Sequence, residues 1–192
     1  MTSNDCVTRA TPPCLQAGKS NPVSAEHVER LRLRHRAEDL FDLVSDVRAY
    51  PSFIPLITAM RVTRDHVKDG TGVLDAEARV RFRFVREKFA TRVKFNKSGL
   101  VIDVDYLSGP FHDLANQWRF HTLEDGSTLV DFWIRYKFGN PVLQMLVDSN
   151  RNRAIRFLID RFDAEAKRRF ETVGERVYPL DDALDQFAPA GR

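Results

Sequence analysis

The sequence has little cysteine and no long apolar run, and both absences narrow the class of protein. Its two cysteines, Cys6 and Cys14, lie before the first periodic segment. The folded part therefore carries neither a disulfide framework nor a zinc ribbon, and a reducing compartment is expected. No apolar stretch approaches the roughly 20 residues of a membrane span, and the N-terminus lacks the hydrophobic centre of a secretory signal. The 192 residues predict one domain with irregular ends.

The first predicted elements are a strand and a helix. Residues 28–35 alternate apolar and charged side chains, which indicates a short strand. Residues 37–47 carry apolar side chains at helical spacing, with Glu38 and Asp39 near the helix N-terminus, where acids are favourable. Residues 1–26 are predicted to be a disordered extension, and a transit peptide is the alternative.

Alternation with a period of two then predicts an antiparallel sheet. It continues for about 80 residues, and turn signals such as Asp69-Gly70 and Gly109-Pro110 divide it into separate strands. One face of these strands is apolar and the other is charged. One face of the sheet is therefore expected to be buried and the other exposed to water.

A long helix is predicted after the sheet. Asn140 and Pro141 form a capping signal, and an apolar stripe runs through residues 142–173 until Gly174. Residues 174–192 are predicted to be a flexible tail. A curved sheet shares one core with a single helix only by wrapping around it, and a helix about 10 Å wide leaves part of the concavity unfilled. The predicted fold is α+β of the helix-grip type over residues 27–173, with an internal apolar cavity.

The loop that follows the first helix is unusually apolar. Tyr50, Phe53 and Ile54 lie between Pro51 and Pro55, where a solvated turn would be polar. One interpretation is a hydrophobic staple that closes the core. The other is a preshaped gate at the mouth of the cavity, because prolines lower the cost of ordering a loop on binding. We expect the gate.

Catalytic and metal-binding patterns are weak. No set of His, Cys and Asp has metal-ligand spacing, and no pair of carboxylates is predicted to point inward. Among the histidines only His112, beside Asp113, has a position near the cavity rim, and a surface role is favoured. Nucleophilic catalysis needs a nucleophile beside a base. The sequence therefore predicts no catalytic residue, no metal site and no enzyme.

Residues 79–97 contain eight basic side chains and one acid, Glu87. Three interpretations are open for this hairpin: an ordinary solvated face, contact with an anionic membrane, or contact with a ribosomal subunit. The interleaved aromatic residues are predicted to point inward, which disfavours stacking on bases, and no DNA binding is expected. The residues expected to make the membrane or ribosome contact are Arg79, Arg81, Arg83, Arg86, Lys88, Arg92 and Lys94.

Two motifs resemble the coenzyme Q-binding protein family of the START/polyketide-cyclase superfamily, whose bacterial members include proteins described as ribosome-association toxins. The first motif is Tyr50-Pro51-x-Phe53-x-Pro55. The second is Gly109-Pro110-Phe111-x-x-Leu114-x-Asn116-x-Trp118-x-Phe120. The resemblance extends over about residues 28–170.

The resemblance implies a START-like, non-catalytic carrier or chaperone of ubiquinone that supports respiration or quinone synthesis. Ubiquinone would be a bound ligand and no cofactor is expected. The protein would be cytoplasmic and peripheral to the inner membrane, or on the matrix side of the mitochondrial membrane, as a monomer or weak homodimer. The rival functions are a ribosome-associating regulator and, third, a polyketide cyclase-like enzyme.

The expected ligand-binding residues combine the apolar loop with the inward face of the sheet and helix. Apolar walls with a few hydrogen-bonding groups suit a prenylated ligand better than a polar metabolite, although an ordinary core remains the alternative for each residue. The set is Tyr50, Pro51, Phe53, Ile54, Pro55, Val80, Phe82, Phe89, Val93, Phe111, Leu114, Asn116, Trp118, Tyr136, Leu143 and Leu158.

Overall fold

A curved antiparallel sheet dominates the computed structural model, which describes residues 24–82 and 85–185. Its strands are β1 (Ala25–Leu33), β2 (Ile57–Lys68), β3 (Thr71–Phe82), β4 (Val85–Asn96), β5 (Val101–Ser108), β6 (Phe111–Thr122) and β7 (Thr128–Phe138). The order in the sheet is β1-β7-β6-β5-β4-β3-β2. The helices are α1 (Ala37–Ser45), α2 (Tyr50–Phe53), α3 (Pro141–Asp148), α4 (Arg151–Arg169) and α5 (Leu180–Asp185), with a 3-10 turn at Val47–Ala49. The predicted α+β helix-grip fold is confirmed.

The core lies between the concave face of the sheet and the helices α1 and α4. Phe41 of α1 is fully buried and meets the ring of Phe120 edge-on, with the ring centroids 6.3 Å apart. Ile155, Phe162 and Ala166 form the buried stripe of α4. The alternating apolar residues of the strands lie on the concave face of the sheet, as predicted.

Glu165 anchors α4 from its inner side. Its side chain is only 6% exposed and accepts hydrogen bonds from Arg168 and Arg169. Arg169 also pairs with Asp46, next to the C-terminus of α1, at 3.1 Å. The hydrogen bonds from Arg168 and Arg169 outweigh the burial of the carboxyl group and lower the pKa of Glu165 to about 2. This network ties the end of α4 to α1.

Strand β2 was missed as a separate element. Register shifts between Ile57 and Ala59 and between Val62 and Arg64 interrupt its pairing with β3. Such bulges place neighbouring side chains out of phase, so an edge strand with two of them loses its period-two signal. Strand β1 begins at Ala25, inside the segment predicted to be the N-terminal extension, whose residues 1–23 lie outside the described residues.

The single long helix predicted for residues 142–173 is wrong, because two helices occupy this segment. Ser149 Oγ donates to the carbonyl of Met145 at 2.8 Å, and Asn150 Nδ2 donates to the carbonyl of Leu146 at 2.9 Å. Short polar side chains that bond nearby carbonyls favour helix ends. The chain consequently leaves α3 at Asp148 and starts α4 at Arg151.

The segment after α4 packs on the sheet. The backbone N–H of Glu175 donates to Asp125 Oδ2 at 2.8 Å, and the Arg32 guanidinium lies 4.9 Å from the ring centroid of Tyr178. Burial alone would raise the pKa of Asp125, but hydrogen bonds from Ser127, Glu175 and Arg32 hold it well below its usual range. Residues 174–185 therefore differ from the predicted flexible tail, and residues 186–192 lie outside the described residues.

The backbone geometry at Gly109 explains why the second sequence motif has a glycine at this position. Gly109 has a φ of +135°, and a Cβ atom there would lie 2.5 Å from Cβ of Phe89 and 2.8 Å from the carbonyl oxygen of Lys88. The turn into β6 therefore approaches β4 too closely for any side chain. This contact sets where Phe111 enters the interior.

We expect Gly109→Ala to lower the free energy of unfolding by about 3 kcal/mol or more, because backbone strain and steric overlap add. Gly126→Ala is the matched control, since Gly126 also has a positive φ (+80°) but no atom lies within 4 Å of its added Cβ. The control should cost about 1–2 kcal/mol. Urea denaturation measures both, and equal losses would contradict the steric account.

Candidate ligand-binding site

A cavity of about 350 Å³, here called the inner cavity, lies between the concave face of the sheet and α4. Its walls are almost entirely aliphatic and aromatic. The predicted ligand-binding residues that line it are Tyr50, Ile54, Phe89, Val93, Phe111, Leu114, Asn116, Trp118, Tyr136 and Leu158. The prediction of an internal apolar cavity thus agrees with the structure, and ligand binding by these residues stays a prediction.

A second cavity of about 430 Å³, the outer cavity, lies between the end of the β3–β4 hairpin and the helices α3 and α4. Of the predicted residues, Val80, Phe82 and Leu143 line it. Phe82 was expected to point into the core, yet it is 43% exposed at the end of β3. Leu146 and Phe157 complete the apolar wall on the helical side.

The two cavities share an aromatic wall. Phe89, Phe111 and Phe138 line both of them. The ring centroids of Phe89 and Phe111 are 5.5 Å apart, and those of Phe111 and Phe138 are 4.4 Å apart. Because Phe111 follows the tight turn at Gly109, the position of this wall depends on the second sequence motif.

One part of the inner cavity is polar. The hydroxyl group of Tyr136 donates to Asp148 Oδ1 at 2.8 Å, and burial together with this hydrogen bond raises the pKa of Tyr136 to about 12. Asn116 Oδ1 and Arg151 Nε are buried and have no hydrogen-bond partner in residues 24–82 and 85–185. Both residues line the inner cavity. Buried polar atoms are normally paired, so unpaired ones that face a cavity point to a ligand or water.

Arg151 is the site residue that sequence reasoning missed. It is the first residue of α4, in a run with Arg153 and Arg156 that resembles a solvated helix face. The break between α3 and α4 decides which of these arginines turns inward. The polar pair Ser149-Asn150 was the available signal for that break.

The apolar loop packs on the core in the manner of a staple, and Phe53 lines neither cavity. The rings of Tyr50 and Phe53 each pack edge-on against Phe162 of α4, with centroids 5.3 Å apart. Pro51, Phe53 and Pro55 line neither cavity, whereas Tyr50 and Ile54 form part of the inner wall. These aromatic contacts hold the partly buried rings of Tyr50 and Phe53 against the core.

Part of the basic face of the hairpin is paired with acids, which the sequence did not reveal. Lys88 pairs with Glu77 at 3.1 Å, Arg92 with Asp75 at 2.8 Å, and Lys94 with Asp105. Glu77 and Asp75 lie on β3, just before the basic stretch in sequence, and Asp105 lies on β5. A hydrogen bond from Arg92 lowers the pKa of Asp75. The predicted contact residues that remain unpaired within the described part of the chain are Arg79, Arg81 and Arg86, and Arg83 lies outside it.

The described residues show no catalytic constellation in the inner cavity. No His, Cys, Asp or Glu of residues 24–82 and 85–185 lines it. His112 is exposed and lines neither cavity, and the same residues hold no cluster of three metal-ligating side chains. No helix in the described ranges has the length and apolarity to cross a membrane.

A curved antiparallel sheet around a C-terminal helix, with an apolar cavity between them, defines a START-like helix-grip protein. Residues 33–163 match the model of the family described as polyketide cyclase / dehydrase and lipid transport. The chain belongs to this family.

Several relatives are ribosome association toxins. The protein RatA of Rickettsia prowazekii is 30% identical over 70% of this chain and 91% of its own length. RatA of Pseudomonas aeruginosa is 27% identical over 73% of this chain and 95% of its own length.

Solved structures share the fold. An 18 kDa protein from Caulobacter crescentus is 43% identical, with a TM-score of 0.64 over 75% of this chain and 97% of that one. An aromatase/cyclase from Streptomyces is 15% identical, with a TM-score of 0.62 over 76% of this chain and 95% of that one. At that identity the second likeness shows the fold alone.

We expect Phe53→Ala to lower the free energy of unfolding by about 2 kcal/mol or more, because it removes the ring that packs on Phe162 and Tyr50. Pro55→Ala, at an exposed position in the same loop, is the control and should change it by less than about 0.5 kcal/mol. Guanidinium denaturation tests the pair. A Phe53→Ala protein of unchanged stability would restore the gate interpretation.

Proposed function

We propose that this protein binds a prenylated quinone, ubiquinone, in its inner and outer cavities and carries it without chemical change, in support of respiration or quinone synthesis. The observation that carries the proposal is the apolar inner cavity with two buried polar atoms on its wall, Asn116 Oδ1 and Arg151 Nε, that have no partner among the described residues. The family description includes lipid transport, which is consistent with a carrier. Its place of action would be the periphery of the inner membrane.

The size and shape of the cavities suit a head group with a tail. Ligand pockets are commonly about 300–1,000 Å³, and the two cavities of about 350 and 430 Å³ adjoin at Phe89, Phe111 and Phe138. A head group would occupy the inner cavity and an isoprenoid tail would extend past the aromatic wall. Displacement of the Phe111 ring would join the two spaces.

The polar groups suit the oxygen atoms of a quinone. Carbonyl oxygens only accept hydrogen bonds, and Arg151 Nε–H is an unused donor. The Asn116 amide can present its NH₂ group by rotation about its last side-chain bond. A ligand carbonyl between these groups would satisfy polar atoms that otherwise cost free energy when buried.

The proposal that the protein is not an enzyme rests on the wall chemistry. The hydroxyl groups of Tyr50 and Tyr136 in the inner cavity are engaged by the carbonyl of Val44 and by Asp148. The wall also carries the hydroxyl of Thr91 and the guanidinium of Arg151, but no described His, Cys, Asp or Glu lines it as a base. Tyr136 is protonated at neutral pH like any tyrosine, and its raised pKa makes it a still weaker acid. A cyclase-like reaction therefore has little support from these residues.

Ribosome association is the second candidate function, and the names of the relatives favour it. The structural support is the exposed arginines at the end of the β3–β4 hairpin. The cross-strand ion pairs weaken it, because they remove much of the positive charge that would attract phosphate groups.

The inner cavity has a built-in optical reporter. The sequence contains two tryptophans, Trp118 and Trp133. Trp118, in β6, lines the inner cavity. Trp133, in β7, lies on the opposite face of the sheet and donates a hydrogen bond to Glu26. In the Trp133→Phe protein we expect a short-chain ubiquinone to quench Trp118 fluorescence saturably, which a protein without the ligand site would not show.

Asn116→Leu in the Trp133→Phe background should weaken quinone binding roughly 3- to 10-fold, the usual effect of one lost hydrogen bond. It should leave stability unchanged or raise it, because it removes a buried amide with an unpaired oxygen. Gln117→Leu makes the same change on the outer face of β6, where the amide donates to Asp103, and should not alter affinity. Equal affinities for both variants would contradict the proposed head-group position.

A further inference from the structure

Helix α3 presents an apolar face to the outside. Val142 and Met145 are each 66% exposed. They are three residues apart, so they lie on the same side of the helix. Leu143 and Leu146 of the same helix instead line the outer cavity. Helix α3 thus covers the outer cavity, and it is apolar both on the side that lines the cavity and on the exposed side.

The exposed face of α3 is held in place. Asn140 caps the helix by accepting from the N–H of Val142 at 2.8 Å. Gln144 Oε1 accepts from the N–H of Phe138 at 2.7 Å, and Asp148 accepts from Tyr136. These bonds use the polar side chains of α3 to fix it on β7. The outward position of Val142 and Met145 is therefore imposed by the fold.

Arginines without an ion-pair partner among the described residues lie in the same part of the molecule. Arg81 and Arg153 line the outer cavity together with one acid, Glu87. Arg81 lies directly opposite Arg86 in the register of β3 and β4, and neither forms an ion pair with a described residue. Like charges directly opposite each other destabilise a strand pair. An anionic partner at this end of the hairpin would remove the repulsion.

We propose that α3 and the end of the β3–β4 hairpin dock the protein on an anionic phospholipid bilayer, so that the outer cavity opens toward the lipid. The apolar side chains Val142, Met145 and Phe82 would enter the acyl boundary while Arg81, Arg86 and Arg153 contact the headgroups. Exposed aliphatic side chains contribute little to RNA binding, which relies mainly on phosphate contacts and base stacking. The docking site rests on the proposed function for its purpose, because a ligand with an isoprenoid tail must leave and enter a membrane.

Vesicle co-sedimentation of the full chain tests the docking surface. Wild-type protein should pellet with phosphatidylcholine vesicles that contain phosphatidylglycerol, less with pure phosphatidylcholine, and less as salt increases. Arg81→Glu/Arg86→Glu should weaken binding to the anionic vesicles by on the order of tenfold or more. Arg36→Glu/Lys68→Glu, at two exposed positions outside the docking surface, makes the same charge change and should have little effect.

A second variant removes the apolar contribution alone. Val142→Ser/Met145→Ser keeps the charge of the protein and should weaken vesicle binding several-fold without changing the thermal unfolding temperature, since both side chains are exposed. Unchanged vesicle binding in this variant and in Arg81→Glu/Arg86→Glu would overturn the proposal. Binding of the wild-type protein to ribosomal subunits that is lost on Arg81→Glu/Arg86→Glu, with vesicle binding intact, would also overturn it.

Quenching of Trp118 by a short-chain quinone in detergent separates this proposal from the proposed function. The Val142→Ser/Met145→Ser variant should retain quenching, because both substitutions lie outside the inner and outer cavities. Vesicle binding without any quenching would sustain the docking surface and reject the quinone ligand. Quenching without vesicle binding would support the quinone ligand and reject the docking surface.

Discussion

The concave face of a seven-stranded sheet has to be covered by α4, a helix of 19 residues, and this mismatch in size shapes the interior. The gap is closed at one end by α1 and α2, where Tyr50 and Phe53 pack on Phe162. The rest of the concavity stays open as the inner cavity. The cavity is therefore a consequence of the architecture, whereas the sequence determines which side chains line its wall.

The break between α3 and α4 produces both the polar part of the inner cavity wall and the adjoining outer cavity. It places Arg151 at the inner wall and lets Asp148 accept from Tyr136. It also frees α3 to lie over the outer cavity with an apolar outer face. The charge of the hairpin is divided in a similar way, because acids of neighbouring strands pair with Lys88, Arg92 and Lys94, whereas Arg81 and Arg86, at the end beside α3, form no ion pair with a described residue. The proposed ligand binding and the proposed membrane docking thus both depend on the break between α3 and α4.

Much of the fold was predictable from the sequence, because side-chain alternation and the Asn140-Pro141 cap are local signals. The Gly109 motif also led to the correct wall position for Phe111. Features that depend on contacts between distant residues were not predictable. The pairing of Lys88 with Glu77 needs the strand register, the inward turn of Arg151 needs the helix break, and the staple role of Phe53 needs the position of Phe162. Strand β2 was missed because its bulges erase the periodicity.

The central claim is that the inner cavity holds a prenylated quinone, and the most direct test is its content in the cell. The protein should be purified from its native host, extracted with organic solvent, and the extract analysed by mass spectrometry. The account predicts ubiquinone in near-stoichiometric amount, and the mass would give the length of the tail. An extract without quinone, still empty after the protein is incubated with quinone-loaded vesicles, would contradict the claim.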